Sequence, residues 1–324
     1  MQSQMMYSFN SPHGLAYAYD CLYCAYLKSH YPLEYYTVVL NVYENDVEKT
    51  NRLCKEMEYF GIKLSNTKFG YDCSKYSFDR ETKTIYKSLG SIKNIGKDVG
   101  KKLDDIKNFH INDFISLLST IDVNKICNSR ELTILISINF FEQFGNPNQL
   151  LKIVDIYNKY SSAKVIKKDK LTQREMQIIH KFAHKETEKQ FRDINNIGLV
   201  NALADEITDT TSILDQIGYD LKYLGYTSLT YNCQYFGIED FALNDYGTPY
   251  VKLYHIATGE SDVYKIDKKW YNQFTTEYNG TLKQGDILDI TIQEKPKRRK
   301  VDGEWVEIGT ELVIIAFCRK RGEV

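Results

Sequence analysis

Apolar positions recur at helical spacing through most of the first 217 residues and then change to short alternating stretches, which predicts a helical body followed by a smaller β region. Ser11-Pro12 opens the first helical pattern: serine can accept a free amide at the N-cap, and proline at N1 lacks the proton that would be wasted there. The pattern runs to about His30, because Tyr31 precedes Pro32 and the proline ring pushes it out of helical geometry. Leu15, Tyr17, Ala18, Leu22, Ala25 and Tyr26 wrap most of the circumference, which predicts a largely buried helix. A second helix is expected from Pro32 and a third over about 46–60, with Gly61 suited to a left-handed C-terminal cap. Residues 76–78 and 84–86 flank a polar turn and predict a small hairpin. From Leu89 to about Tyr160 the text is helical again, broken at 94–96 and 145–147. Lys-rich residues 161–195 have weak periodicity and read as linker plus one exposed helix. Alternation at 250–256, 262–266, 287–293 and 312–317 predicts a barrel or curled sheet.

The balance of 42 basic against 43 acidic residues, a net charge of −1, excludes a globally basic DNA-coating protein, so nucleic-acid contact must come from local patches. Three exist: Lys93, Lys97, Lys101, Lys102 and Lys107; Lys164, Lys167, Lys168 and Lys170; and Lys295, Lys297, Arg298, Arg299 and Lys300. A length of 324 residues suggests two domains, or three. No long apolar run or charged-then-apolar leader stands in the text, so neither a membrane span nor a secretion signal is expected. Seven scattered cysteines fit a reducing, cytoplasmic setting.

Two constellations could carry chemistry. His13 and Tyr17, four apart at the start of the first helix, share one face beside helix-end amides that favour an anion. An aromatic ring next to a phosphate site suits a nucleotide; the plain alternative is a capped core helix. Residues 92–103 place a tight Asn94-Ile95-Gly96 turn before a helix with Val99 and Leu103 inward. That is a helix-hairpin-helix pattern, in which Gly96 permits close backbone approach, the following amides face a DNA phosphate, and Lys93, Lys97 and Lys101 add charge. An ordinary αα-hairpin with solvated lysines is the alternative. The arm at 295–300 reads as a solvated loop between two strands. Cys21 and Cys24 lie three apart inside one helix, without a second cysteine pair, and read as structural. His180, His184 and Glu188 share a predicted helix face and read as surface residues.

Phe9-Asn10, His13, Ala16-Tyr17-Ala18-Tyr19, then Ala25-Tyr26-Leu27-Lys28, His30-Tyr31-Pro32 and Glu34 resemble the fingers of C-family DNA polymerases, the bacterial DNA polymerase III alpha subunits. The resemblance continues through Met57 to Leu64 and into Leu89-Gly90-Ser91-Ile92-Lys93-Asn94-Ile95-Gly96, and returns at 221–226. It implies a mixed fold: an α-helical N-terminal two-thirds, made of fingers plus tandem helix-hairpin-helix, followed by a small β-rich OB-like domain. The implied domains are 1–75, partial fingers; 76–160, helix-hairpin-helix; 161–217, helical linker; and 218–324, OB-like. Residues 126–148 cover the place of the second hairpin. By resemblance His13 and Tyr17 contact the incoming nucleotide, although the family's Lys-Ser before this histidine is Ser11-Pro12 here. The resemblance likewise implies that Lys93, Asn94, Ile95, Gly96, Lys97 and Lys101 bind DNA.

The family's metal-holding palm carboxylates lie upstream of its fingers, and the chain is expected to lack them. No catalytic residue, metal ligand or cofactor is therefore assigned, and Mg2+ would belong to the missing palm. Asp104-Asp105 and Asp205/Asp209 have no claim to that role. The implied partners are DNA, a separate palm-bearing chain and a sliding clamp, although no clean clamp-binding motif is found. Three readings follow: the C-terminal part of a split polymerase, a stand-alone or degenerate DNA-binding protein, and a helix-hairpin-helix nuclease, the last without an acidic or nucleophilic cluster to support it.

Overall fold

The computed structural model describes residues 11–44, 46–107, 109, 111–277, 281–301 and 304–320. The chain divides into two compact units, residues 1–110 and 111–324, and mixes helix with sheet.

In the first unit, α1 (Ser11–His30) is followed by α2 (Pro32–Val42) and α3 (Val47–Glu58). Pro32 occupies the first turn of α2, and Tyr31 before it has φ −133°, as the clash with a following proline ring requires. Asp46 caps α3 by accepting the Lys49 amide at 3.0 Å, and Gly61 has φ +66°. The short strands β1 (Lys63–Ser65), β2 (Ser77–Asp79) and β3 (Thr84–Tyr86) form a sheet in the order β1-β3-β2, with β2 and β3 antiparallel as the hairpin pattern predicts. Leu33, Tyr36 and Leu40 of α2 pack with Met57, Ile62, Tyr76 and Ile85 to form the core. The Asn41 side chain accepts from the Tyr76 amide at 2.8 Å and donates to its carbonyl at 3.0 Å, so a side-chain amide stands in for a strand partner. A 3-10 turn (Leu89–Ser91) then leads to α4 (Lys97–Ile106).

Two expectations fail in this unit. Ser11 is the first helical residue of α1 and not its cap; the position before it, Asn10, lies outside the described residues. The helix is also not buried. Leu15, Leu22 and Tyr23 are 58%, 63% and 63% exposed, and Tyr17, Tyr19, Tyr26 and Leu27 are exposed as well. An apolar circumference implies burial only where something covers it, and within this unit Lys28, paired with Glu56 of α3, ties down the C-terminal end of α1.

The second unit opens with α5 (Phe114–Asn124), α6 (Ser129–Ser137), a 3-10 turn (Glu142–Phe144) and α7 (Pro147–Tyr160). Residues 161–195 are more than linker and helix: β4 (Val165–Lys167), β5 (Ala183–Glu186) and β6 (Gln190–Ile194) form a sheet in the order β4-β6-β5, with α8 (Gln173–Phe182) packed beside it. Strands of three to five residues that mix charged, polar and apolar side chains carry too little alternation to be read. Then come α9 (Asn196–Ala204) and α10 (Ile213–Leu224), the latter with a Ser212/Asp215 capping box and a left-handed Gly225 at its end.

The C-terminal strands β7 (Phe236–Leu243), β8 (Pro249–His255), β9 (Ser261–Ile266), β10 (Ile287–Val301) and β11 (Glu304–Lys320), with α11 (Lys268–Glu277) between β9 and β10, close into a barrel in the order β10-β11-β9-β8-β7. Ile287 and Leu288 pair with Gly237 and Phe236 to seal it. Ile238, Val251, Leu253, Ile266, Phe274, Leu288, Ile314 and Phe317 fill the interior. The expected loop at 295–300 is instead strand: β10 and β11 continue as a paired ribbon past the barrel, with Lys295 opposite Glu311 and Arg298 opposite Glu307. The charges at the base of the ribbon are taken up by its neighbours, Lys295 by Asp267 at 3.0 Å and Glu311 by Lys265 at 2.6 Å. Among the described residues no helix is long and apolar enough to cross a membrane.

Candidate nucleic-acid interface

The region from Leu89 to Ile106 forms a turn-and-helix unit within the first compact body. Its leading arm is the single 3-10 turn, not the full helix expected, with Ser88 capping it by accepting from the Ser91 amide at 3.3 Å. The left-handed residue in the turn is Asn94, φ +68°; asparagine tolerates that conformation better than most residues other than glycine. Gly96, where the sequence pattern puts the close approach, has an ordinary φ of −66° and serves as the N-cap of α4, with no side-chain cap. The Ile95 amide donates to the Ile92 carbonyl at 3.2 Å, and Ile95 is buried between exposed neighbours.

Two consequences bear on chemistry. The amides of Lys97 and Asp98 meet no acceptor among the described residues, so they keep the partial positive charge of a helix N-terminus. Lys93, Lys97 and Lys101 are exposed and have no ion-pair partner among the described residues, with Lys97 and Lys101 one turn apart on α4. Val99, Leu103 and Ile106 point inward, as the periodicity predicts.

The other face of α4 is locked. A Cβ added at Gly100 would sit 2.5 Å from the Cys73 carbonyl oxygen. Asp104 accepts the Cys73 amide at 2.9 Å and the Ser74 amide at 3.1 Å. Burial first, and the same carboxylate second, push the Cys73 thiol up to about 12. Asp104 thus anchors α4 to the 72–74 loop, a role no spacing in the sequence reveals because its partners lie about thirty residues away.

A comparable turn follows α6, where Asn139 has φ +63° and the Phe140 amide returns to the Leu135 carbonyl at 3.0 Å. Here the next long helix is closed off. Asn146 accepts the Gln149 amide at 3.2 Å and Thr211 Oγ1 accepts the Asn148 amide at 2.9 Å, so the protein itself satisfies the N-terminus of α7. Of the two, the α4 end is the open one.

His13 and Tyr17 meet on exposed α1, their rings edge to face with centroids 4.6 Å apart, in the same compact unit as α4. Cys21 and Cys24 are exposed free thiols. His180 and His184 do not share a helix face, because α8 ends at Phe182 and His184 belongs to β5; His180 Nδ1 instead lies 2.5 Å from Glu186. Among the described residues no group of His, Cys, Asp and Glu is arranged to hold a metal.

No known family profile matches the chain. It is similar to DNA polymerase III subunit alpha from Campylobacter jejuni, 36% identical over 143 residues, or 43% of this chain and 12% of that protein. For the subunit from Aquifex aeolicus the figures are 28% over 124 residues, 37% and 10%. A longer stretch, 242 residues at 25% identity, matches DNA polymerase III subunit alpha of Ureaplasma parvum serovar 3, covering 72% of this chain and 22% of that protein. The chain thus spans about a fifth or less of the length of these relatives, and the similarity supports a polymerase-related role.

Proposed function

We propose that the chain is the DNA-gripping part of a polymerase III alpha-type replicase and acts together with the palm of such a replicase. The observation that carries the reading is the N-terminus of α4, with two amides that meet no acceptor among the described residues and three exposed lysines around a left-handed Asn94. A duplex phosphate fits there as an anion fits an uncapped helix end, and such contacts position DNA without reading its sequence. In this reading Leu89–Ile106 is a helix-hairpin-helix unit, and Lys93, Asn94, Ile95, Gly96, Lys97 and Lys101 hold the backbone. The barrel, a three-strand meander followed by a helix and a two-strand ribbon, suits an OB-fold, and its β10–β11 ribbon is the long loop that such a fold extends toward single strands. His13 and Tyr17 face the incoming nucleotide, and the apolar circumference of α1 is covered by the palm.

The test is the salt dependence of duplex binding. Lys93→Ala, Lys97→Ala and Lys101→Ala together should shallow the log–log slope by about 2.7, roughly 0.9 for each phosphate no longer neutralised. An unchanged slope rejects the placement.

A further inference from the structure

The second lysine patch, unused so far, is assembled by β4, β6 and β5 into one surface. Val165 pairs with Arg192, which pairs with Lys185, while Lys167 pairs with Gln190; partners in register share a sheet face. The opposite face is core, with Ile166 6% and Phe191 1% exposed. The cations therefore cannot turn inward, and Lys167, Lys185 and Arg192 are exposed together.

Residues 161–195 hold nine Lys and Arg against five Asp and Glu, a local net charge of +4 in a chain whose total is −1. Ion pairs take up charges of both signs: Glu186 is held by Lys168 and His180, each at 2.5 Å, Arg174 by Glu206 outside the segment, and Glu175 by the α8 cap. Lys185 reaches Asp193 only at 3.9 Å. Lys164, Lys167, Lys170, Lys181 and Lys189 have no ion-pair partner among the described residues.

We infer that this sheet face is a second binding surface for the phosphate backbone of duplex DNA, separate from the α4 hairpin; the inference rests on the reading of the chain as a DNA-binding protein. Three strands about 4.8 Å apart set the cations across about 10 Å, a width over which a duplex presents several phosphates. A protein partner fits less well. Interface cores are built on aromatic and aliphatic anchors and are depleted in lysine, whereas the large apolar side chain exposed on this face is Val165.

The test uses the full chain and a duplex of about 30 base pairs, with affinity measured across a salt series. Lys167→Ala, Lys185→Ala and Arg192→Ala combined should shallow the log–log slope by about 2 to 3 and leave the thermal melt in place, since all three are solvated. The α4 triple variant is run in parallel. A sheet variant with the wild-type slope beside an α4 variant with a reduced one overturns this inference and leaves the hairpin reading standing. The reverse result supports the sheet and rejects the hairpin. A wild-type chain that binds no duplex overturns both. Full duplex binding by the sheet variant, with loss of an acidic partner protein, would make protein the occupant and overturn the assignment to DNA.

Discussion

At the scale of single residues, Asp104 shows how a carboxylate that resembles catalytic text is consumed by structure. It receives the part-buried Cys73 amide and the exposed Ser74 amide, the latter shared with Asp72, and a hydrogen bond to a charged acceptor is worth about 1.5–3 kcal/mol at most and about 1 kcal/mol when partly solvated. Asp104→Ala should therefore lower unfolding stability by about 1 kcal/mol or more in urea titrations, while Asp105→Ala, one residue on and exposed, should stay within about 0.5 kcal/mol. Equal effects from the two would remove the anchor role. Lys87 makes a different residue-scale point. Burial holds its ammonium down to about 8, against a smaller upward pull from Cys54. Below that value both folded and unfolded chains carry the proton and the penalty of burying the charge is complete. Between about 8 and the ordinary lysine range near 10.4 the folded chain has released it and the unfolded chain has not, so stability rises with pH. The Cys54 thiol, itself raised by burial, acts in the opposite sense at high pH, so the comparison belongs in a Cys54→Ala background. There, wild-type Lys87 should gain up to about 3 kcal/mol on Lys87→Met from about pH 7.5 to about pH 10.5. Parallel stability curves would place Lys87 in water.

At the scale of elements, the conformation of the turns decides what each hairpin can offer. Asn94 and Asn139 hold φ of +68° and +63°, a region that costs a β-branched residue about 1–2 kcal/mol or more. Asn94→Val should destabilise the first unit by that much and weaken duplex binding, whereas Asn94→Gly should preserve both; a Val variant as tight and as stable as wild type would show that the turn does not set the α4 amides. Much of the fold was legible locally. Pro32, Asp46, the 77–86 hairpin and the break before Pro147 are short-range signals, and each produced the element expected. What was not legible depends on distant chain. The occupant of the Asn148 amide, Thr211, lies more than sixty residues away and leaves no local trace. Strand β7 escaped because a bulge between Ile238 and Asp240 turns both Ile238 and Glu239 inward and breaks the period of two. In the first turn, composition points to Gly96 as the special backbone position, whereas the left-handed residue is Asn94.

For the whole molecule, the question is what covers α1. Seven of its large apolar side chains are exposed, and fully burying a leucine is worth about 1.5–3 kcal/mol, so the helix is suited to association and contributes weakly to the stability of its own unit. The relatives are about five to ten times longer than the stretch they share with this chain, and the proposed function puts part of that further mass, the palm, against α1. Two results should then separate cleanly. Alone, the chain should extend no primer, and extension should begin when a palm-bearing fragment of a polymerase III alpha subunit is added with Mg2+. Leu15→Asp, Leu22→Asp and Tyr23→Asp together should abolish that rescue while the isolated chain melts within a few degrees of wild type, because none of the three side chains supports its fold. Rescue that survives the triple substitution would mean that another surface meets the palm, and a melt that collapses would mean that α1 is held by its own unit more firmly than its exposure implies. Extension by the pure chain would reject the division of labour itself, since it would require a metal-holding acidic site where the described residues assemble none.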